Sequence, residues 1–283
     1  MSKARERFDG GARDQTPPPS PPALNVEVVD AHCHLDLMDG DVADNLAAAQ
    51  AVGVRRIITI GIDVPTSLWC ADAAAQYADV YAAVAIHPNE ANGADDAALQ
   101  EIARLAQLPD VVAIGETGLD FFRDTATKQQ QLASFRAHIR IAKDSGKALV
   151  IHDRDAHDAV LQVLDEEGAP EHVVFHCFSG DATLAATCAE RGYVMSFAGN
   201  MTFKNAEPLR EALRVAPLDL LLVETDAPFL TPMPHRGQPN APYLIPLTLR
   251  AMANVKGVDE DTLAAAIAAC AQRVFRLPSA TAA

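Results

Sequence analysis

The stretch Val-Glu-Val-Val-Asp-Ala-His-Cys-His, residues 26–34, is a short apolar run that ends abruptly in two histidines. A β-branched run that stops at a residue able to bind metal, with a helical pattern after it, is typical of one strand–helix unit. The same arrangement recurs along the chain, and five such apolar runs end in an imidazole or a carboxylate. Six side chains are placed in this way: His32, His34, Glu116, His152, His176 and Asp226.

Strand-like and helix-like segments alternate along the chain from residue 26 onward. We predict eight strands, at residues 26–32, 55–62, 80–86, 111–116, 148–152, 172–176, 193–198 and 220–225. Helical patterns fill the gaps between them, and two more follow the last strand. Eight such units in a chain of 283 residues predict an α/β fold of the (β/α)8 type, a TIM barrel. In that fold the active site lies at the C-terminal ends of the strands, where all six side chains fall.

The first 24 residues differ in composition from the rest of the chain. The first part of this segment is polar and contains glycine, and its second part has five prolines between residues 17 and 22. Such a segment buries little apolar surface and favours extended conformations. We therefore predict a disordered tail over residues 1–24 and a single barrel domain over residues 25–283.

Composition restricts the class of protein. An apolar content of 49% and a charged content of 22% are ordinary for a soluble globular chain. No apolar stretch approaches the roughly 18 residues that span a bilayer, and the N-terminus lacks the apolar segment of a signal peptide. Five scattered cysteines without a Cys-x-x-Cys pair argue against a disulfide framework and favour a reducing cytoplasm. A monomer is the default expectation.

The net charge of −15 argues against a protein that coats nucleic acid electrostatically. It does not exclude an enzyme that acts on the end of a nucleic acid, because bound divalent cations reverse the charge of the site itself.

The six side chains have the chemistry of a site for two divalent ions. His32 and His34 are two residues apart on a strand, so both point to one face and can reach one ion, whereas Cys33 points away. The carboxylate of Glu116 has two oxygens and can bridge two ions. Taken singly, each residue could instead be a polar group satisfied at a strand end or in a turn. Their alignment favours the metal site, which Mg²⁺, Mn²⁺ or Zn²⁺ could occupy, and points to metal-assisted hydrolysis.

Catalytic roles are predicted for three side chains. Asp226, at the end of the last strand, suits a carboxylate that orients the attacking water or takes a proton from it. Glu116 would act through the ions that it holds. His87 ends the third strand and could hydrogen-bond substrate or act as an acid, although a turn histidine fixed by Pro88 is nearly as good an interpretation.

Three basic side chains are candidates for substrate contact. Arg154 lies two residues beyond His152, where its guanidinium could pair with a phosphate. Lys204 is a weaker candidate for the same role, and Arg236 lies in a proline-rich loop that we expect to be stiff. Glu224 is expected to be structural or to orient a ligand from behind.

These motifs resemble those of the TatD family of metal-dependent hydrolases, and they follow the family's order over about residues 26–276. The resemblance rests on seven stretches: Asp-Ala-His-Cys-His-Leu-Asp (30–36), Ala-Ile-His-Pro (85–88), Ile-Gly-Glu-Thr-Gly-Leu-Asp-Phe (114–121), Val-Ile-His-Asp-Arg-Asp-Ala (150–156), His-Cys-Phe-Ser-Gly (176–180), Ser-Phe-Ala-Gly-Asn-Met-Thr-Phe-Lys (196–204) and Glu-Thr-Asp-Ala-Pro-Phe-Leu-Thr-Pro (224–232).

The resemblance implies a TIM barrel of the amidohydrolase-like group with two metal ions. It also implies Mg²⁺- or Mn²⁺-dependent deoxyribonuclease activity on DNA, often as a 3′–5′ exonuclease on single strands. The family pattern assigns the ligands as follows: His32, His34 and Asp226 for one ion, His152 and His176 for the other, and Glu116 as the bridge.

Two positions depart from the family pattern. Ala241 stands where the family usually has Glu in an Asn-Glu-Pro sequence, and Gln272 stands where it usually has Asn. Neither is one of the six ligand positions, but the first could change a substrate contact.

Three functions stay open on the sequence alone. The site could hydrolyse phosphodiesters at DNA ends. With the same residues it could hydrolyse D-aminoacyl-tRNA or another ester or amide, as some relatives of this family resemble deacylases. A non-catalytic binding subunit is the third, and the complete set of six ligands argues against it.

Overall fold

Eight parallel strands, hydrogen-bonded to one another in chain order, form the wall of a barrel in the computed structural model, which describes residues 14–278. This confirms the predicted TIM barrel. The strands are β1 (Val28–Cys33), β2 (Val54–Ile60), β3 (Val80–Val84), β4 (Val111–Asp120), β5 (Ala148–Arg154), β6 (Val173–Phe175), β7 (Val194–Phe197) and β8 (Leu221–Val223).

Helices follow the strands and surround the barrel. They are α1 (Val42–Gln50), α2 (Val64–Gln76), α3 (Asp96–Leu105), α4 (Lys128–Ser145), α5 (His157–Glu167), α6 (Ala182–Glu190), α7 (Glu207–Val215), α8 (Ile245–Lys256) and α9 (Glu260–Val274). Over residues 14–278 none of them combines the length and the apolar character needed to cross a membrane.

Alternation along the strands divides the apolar side chains between two clusters. In β2, Ile57 packs outward against the helices, whereas Ile58 and Ile60 pack into the barrel interior. Val274 and Phe275, at the end of α9, join the interior cluster. The lower part of the barrel is thus filled by apolar groups, and the polar side chains lie at the opposite end.

Backbone hydrogen bonds beyond the strand ends join β8 to β1. The amide of Asp226 donates to the carbonyl of His32 (2.9 Å), and the amide of His34 donates to the carbonyl of Ala227 (2.8 Å). The buried carboxylate of Asp30 strengthens this junction, because it accepts from both the amide (2.9 Å) and the hydroxyl (2.6 Å) of Thr225. These contacts bring the two histidines of β1 beside Asp226.

Strands β4 and β5 extend further than the sequence predicts, to residues 120 and 154. The extension is possible because glycines allow the two strands to approach closely. At Gly118 the backbone has φ +138°, and a β-carbon there would lie 2.2 Å from the carbonyl oxygen of His152. At Gly115 a β-carbon would lie 2.5 Å from that of Val150. The same glycines therefore position Glu116 against His152.

The predicted disordered tail falls partly on residues 1–13, which lie outside the described residues. Residues 14–24 differ from the prediction, because they lie against the barrel. Pro18 and Pro21 are buried, and the hydroxyl of Tyr243 donates to the carbonyl of Pro18 (2.7 Å). The amide of Leu24 donates to the carbonyl of Val52 (3.0 Å). A proline-rich segment is already extended, so little conformational entropy opposes such docking.

Candidate metal centre

Glu116 lies at the centre of a group of imidazoles at the C-terminal ends of the strands. Its Oε1 is 2.6 Å from Nδ1 of His152, 3.0 Å from Nε2 of His176 and 3.4 Å from Nε2 of His87. Its Oε2 is 3.5 Å from Nε2 of His32. Burial alone raises the pKa of Glu116, but the surrounding histidines outweigh that effect and hold the pKa well below its usual range. The carboxylate is thus charged, as a metal ligand must be.

The second carboxylate of the group, Asp226, lies beside the two histidines of β1. Its Oδ1 is 3.5 Å from Nε2 of His34 and 3.8 Å from Nε2 of His32. The three residues place one donor atom each within 4.8 Å of the others, close enough to hold one ion together. Asp226 has a left-handed backbone, with φ +53°. That turn allows Asp226 to follow β8 and still face β1.

His32 provides a direct test of whether the site suits a metal ion. Both of its ring nitrogens are buried, and neither finds a hydrogen-bond partner among residues 14–278. Burial lowers the pKa of His32 to about 3, so the ring is neutral. A buried imidazole without a partner is costly, whereas a neutral imidazole is the form that binds a metal. The residues present therefore fit divalent ions.

His176 is oriented from behind by Glu224. The imidazole donates through Nδ1 to Oε1 of Glu224 (2.9 Å), and the same oxygen accepts from the amide of Cys177 (2.9 Å). This bond leaves Nε2 of His176 facing Glu116. Burial alone lowers the pKa of His176, but the carboxylates of Glu116 and Glu224 outweigh it and hold the pKa well above its usual value.

His152 lies between two carboxylates. Its Nδ1 faces Glu116, and its Nε2 is 3.3 Å from Oδ2 of Asp120. Asp120 is itself held by the amide of Arg123 (2.9 Å) and by the side chain of Asn89 (3.1 Å). Burial raises the pKa of the Asp120 carboxyl, but these bonds outweigh it and keep the carboxyl ionised.

Three combinations of donors in the described part of the chain could each hold an ion: His32, His34 and Asp226; His32, His176 and Glu224; and His87, Glu116 and His152. The structure therefore brings all six predicted ligands together with His87, for which the sequence left open a substrate contact, an acid or a turn histidine. It also adds a possible donor in Glu224, which sequence reasoning expected to be structural or to orient a ligand from behind. The Oε2 of Glu224 is buried without a partner in residues 14–278.

The three basic candidates lie at or beyond the C-terminal ends of β5, β7 and β8, on the same face of the barrel as the site. The guanidinium of Arg154 lies over the ring of Phe122, 4.0 Å from its centroid, and that of Arg236 lies over Phe203 at 4.2 Å. Lys204 is exposed. Their charges are therefore available to a substrate that enters the mouth.

Sequence reasoning missed two buried residues that support the site. Asp30 joins β1 to the loop after β8. Its place in the sequence, two residues before His32 in the same strand, is a signal that could have identified it as a supporting residue. His138 lies on α4 and accepts through Nε2 from the amide of Ile86 (3.0 Å), which fixes the backbone just before His87. Nothing in the sequence around His138 marks it, because its partner is a backbone group from a distant segment.

Comparisons with known proteins agree with this geometry. The family model described as TatD related DNase matches residues 29–276. A relative named uncharacterized metal-dependent hydrolase TatD, from Mycobacterium tuberculosis, is 43% identical over 88% of this chain and 98% of its own. A relative named 3′-5′ ssDNA/RNA exonuclease TatD, from Citrobacter rodentium, is 35% identical over 81% of this chain and 90% of its own. The crystal structure of YJJV, a TatD homolog from Escherichia coli K12, superposes with a TM-score of 0.85 at 28% identity and covers 89% of this chain and 98% of that one. The chain therefore belongs to the TatD family of metal-dependent hydrolases.

Proposed function

We propose that this hydrolase is a nuclease that cleaves phosphodiester bonds at the 3′ end of single-stranded DNA and uses two divalent ions. The observation that carries the proposal is the central position of Glu116, whose two oxygens face histidines of different strands. By the family pattern, His32, His34 and Asp226 would hold one ion and His152 and His176 the other. Such ions would polarise the phosphoryl oxygens and make a bound water more acidic.

The chain's own residues have separate tasks in this reaction. The Asp226 carboxylate is the group that can orient the attacking water and accept its proton. His87 faces the same centre and can hydrogen-bond the phosphate or the leaving oxygen. Arg154 at the end of β5 can pair with a phosphate oxygen, and Arg236 and Lys204, in the segments after β8 and β7, can add positive charge for the substrate.

A relative named as a nuclease supports the phosphodiester as the bond that is cleaved. The Citrobacter rodentium protein named as a 3′-5′ ssDNA/RNA exonuclease is 35% identical to this chain. The negative overall charge is compatible with such a substrate, because phosphates would meet the ions and the arginines at the rim rather than the whole surface. A cytoplasmic monomer remains our expectation for the state in which the enzyme acts.

The test is a digestion time course on single-stranded DNA labelled at its 5′ end. Metal-stripped protein is supplied with Mg²⁺, Mn²⁺ or Zn²⁺ in turn. We expect a ladder that shortens from the 3′ end. Glu116→Gln should abolish it, whereas Glu211→Gln, at an exposed position on α7, should leave it unchanged.

Failure to cleave DNA with any of the three ions would contradict the proposal. Hydrolysis of a D-aminoacyl-tRNA by the same preparation would then assign the centre to aminoacyl esters, with the metal site retained.

A further inference from the structure

Phe122 is an aromatic side chain that the fold leaves in water. It is 63% exposed, the largest value among the exposed large apolar side chains of residues 14–278. The others are Leu68 on α2, Val215 at the end of α7 and Met233 in the loop after β8, all distant from Phe122 in the sequence. A single exposed aromatic is not by itself informative. The position of Phe122 and its contact with Arg154 are what make it informative.

Phe122 is fixed directly to the strands that carry the centre. Its amide donates to Oδ1 of Asp120 (3.0 Å), and the other oxygen of that carboxylate contacts His152. Arg154 lies two residues beyond His152 in β5, so strand alternation places both side chains on the same face. The guanidinium lies 4.0 Å from the centroid of the Phe122 ring. The pair therefore stands at the mouth, beside His152.

We propose that Phe122 and Arg154 form a stacking platform for a nucleobase of a single-stranded nucleic acid. The proposal rests on the proposed nuclease function. Every base has a flat π-face, so aromatic rings and guanidinium planes bind bases with little regard to sequence. A base on the open part of the Phe122 ring would hold the adjacent phosphodiester over the centre, with the outer edge of Arg154 facing the backbone phosphate.

The chemistry favours a nucleobase over the other flat or apolar partners. A protein partner would need a continuous apolar surface, and the other exposed large apolar side chains lie at least 54 residues from Phe122 in the sequence. A guanidinium against the ring adds positive charge to the platform, which suits a base linked to a phosphate. The bond of Phe122 to Asp120, and the place of Arg154 two residues beyond His152, link the platform to the reacting bond rather than to a remote surface.

The experiment combines substitution of Phe122 with removal of single bases from the substrate. Metal-loaded protein is given a single-stranded oligonucleotide, or the same oligonucleotide with one abasic residue at each of the last few 3′ positions. For the wild type we expect one abasic position to lower kcat/KM by on the order of 10- to 100-fold, which corresponds to stacking of one base. Phe122→Ala should show a loss of that size on the intact strand and no further loss at that abasic position.

Two further variants separate stacking from a structural role. Phe122→Leu keeps an apolar side chain without the aromatic face, and it should behave like Phe122→Ala. Phe122→Trp should restore kcat/KM and the sensitivity to the abasic residue. Leu68→Ala, at an exposed apolar position on α2, is the matched control and should behave like the wild type.

The outcomes distinguish this platform from the nuclease proposal. If the wild type digests DNA and Phe122→Ala or Phe122→Leu keeps the full sensitivity to the abasic residue, the platform is wrong and the nuclease function stands. If the wild type neither binds nor digests the intact oligonucleotide, the nuclease proposal fails and the platform with it.

Discussion

The imidazoles of the centre differ in the contacts that hold them. This difference predicts how a substitution of a contacting residue affects metal binding. His176 has a carboxylate behind it, whereas His32 has no hydrogen-bond partner among the described residues at either nitrogen. A ligand with a partner behind it has a fixed tautomer and orientation. Glu224 is therefore as important for the use of His176 as the ligand atom itself.

Glu224→Gln should weaken metal binding about 10- to 100-fold, because a neutral amide holds the His176 ring less well and makes it less basic. The measurement is a titration of metal-stripped protein with Mn²⁺, followed calorimetrically and by activity. Activity at saturating ion should recover in large part. Glu211→Gln is the control, and an unchanged affinity in Glu224→Gln would show that the contact has no part in metal binding.

His138 should make stability depend on pH. Burial lowers its folded-state pKa from 6.5 to about 4. Between pH 6.5 and 4, His138 is therefore protonated in the unfolded chain but not in the folded chain. The contribution of neutral His138 to the free energy of unfolding is complete above pH 6.5 and is lost as the pH falls towards 4. The loss is about 3 kcal/mol in total.

Urea unfolding of the wild type and of His138→Gln, at several pH values between 7 and 4.5, measures this contribution. The variant cannot titrate at that position, so its free energy of unfolding should fall less steeply with pH. Parallel slopes for the two proteins would contradict the assignment. Because His138 also fixes the backbone before His87, we expect the variant to be less stable at pH 7 as well.

The β4–β5 pair shows what sequence patterns can and cannot provide for an element. An apolar run ending in Glu116 predicts the strand and places the carboxylate at its end. It does not predict that Thr117 to Asp120 continue the strand and pair with Ile151 to Arg154. Most of these residues are polar or small, and their pairing depends on how closely a distant strand can approach. Glycines in the sequence indicated a tight backbone but not its partner.

Gly118→Ala should destabilise the protein by at least about 2 kcal/mol, since the new β-carbon would meet a carbonyl oxygen and the backbone has a positive φ. It should also lower activity, because β5 carries His152 and would have to move away from Glu116. Thermal unfolding and the digestion assay measure the two effects.

Gly93→Ala is the matched control for this change. A β-carbon at Gly93 would have no heavy atom within 4 Å. We expect its free energy of unfolding to stay within about 0.5 kcal/mol of the wild type. Equal stability of the two variants would mean that the close approach of β4 to β5 is not required.

On the scale of the whole molecule, the sequence predicts the barrel and the convergence of the six ligands, because both follow from one regularity. Every strand of a parallel barrel points the same way, so a residue type repeated at strand ends is gathered at one mouth. Contacts outside that regularity are not predictable in this way. The docking of Pro18 and Pro21 and the junction made by Asp30 depend on surfaces that form only after the chain has closed.

The barrel brings the ligands of distant strands together at one mouth, and this links metal binding to the stability of the whole protein. Glu116, Glu224 and the unpartnered His32 are buried at the centre, an arrangement that a bound ion would satisfy and the unfolded chain would not retain. An ion present at 100 times its dissociation constant adds about 2.7 kcal/mol to the free energy of unfolding. For a chain of this size that is a rise in the melting temperature of roughly 4–5 °C. We therefore expect a chelator to lower the melting temperature of the loaded wild type and of Glu211→Gln by that amount, and to leave Glu116→Gln nearly unaffected. An identical melting temperature with and without chelator in the wild type would show that these buried side chains satisfy one another without a metal ion.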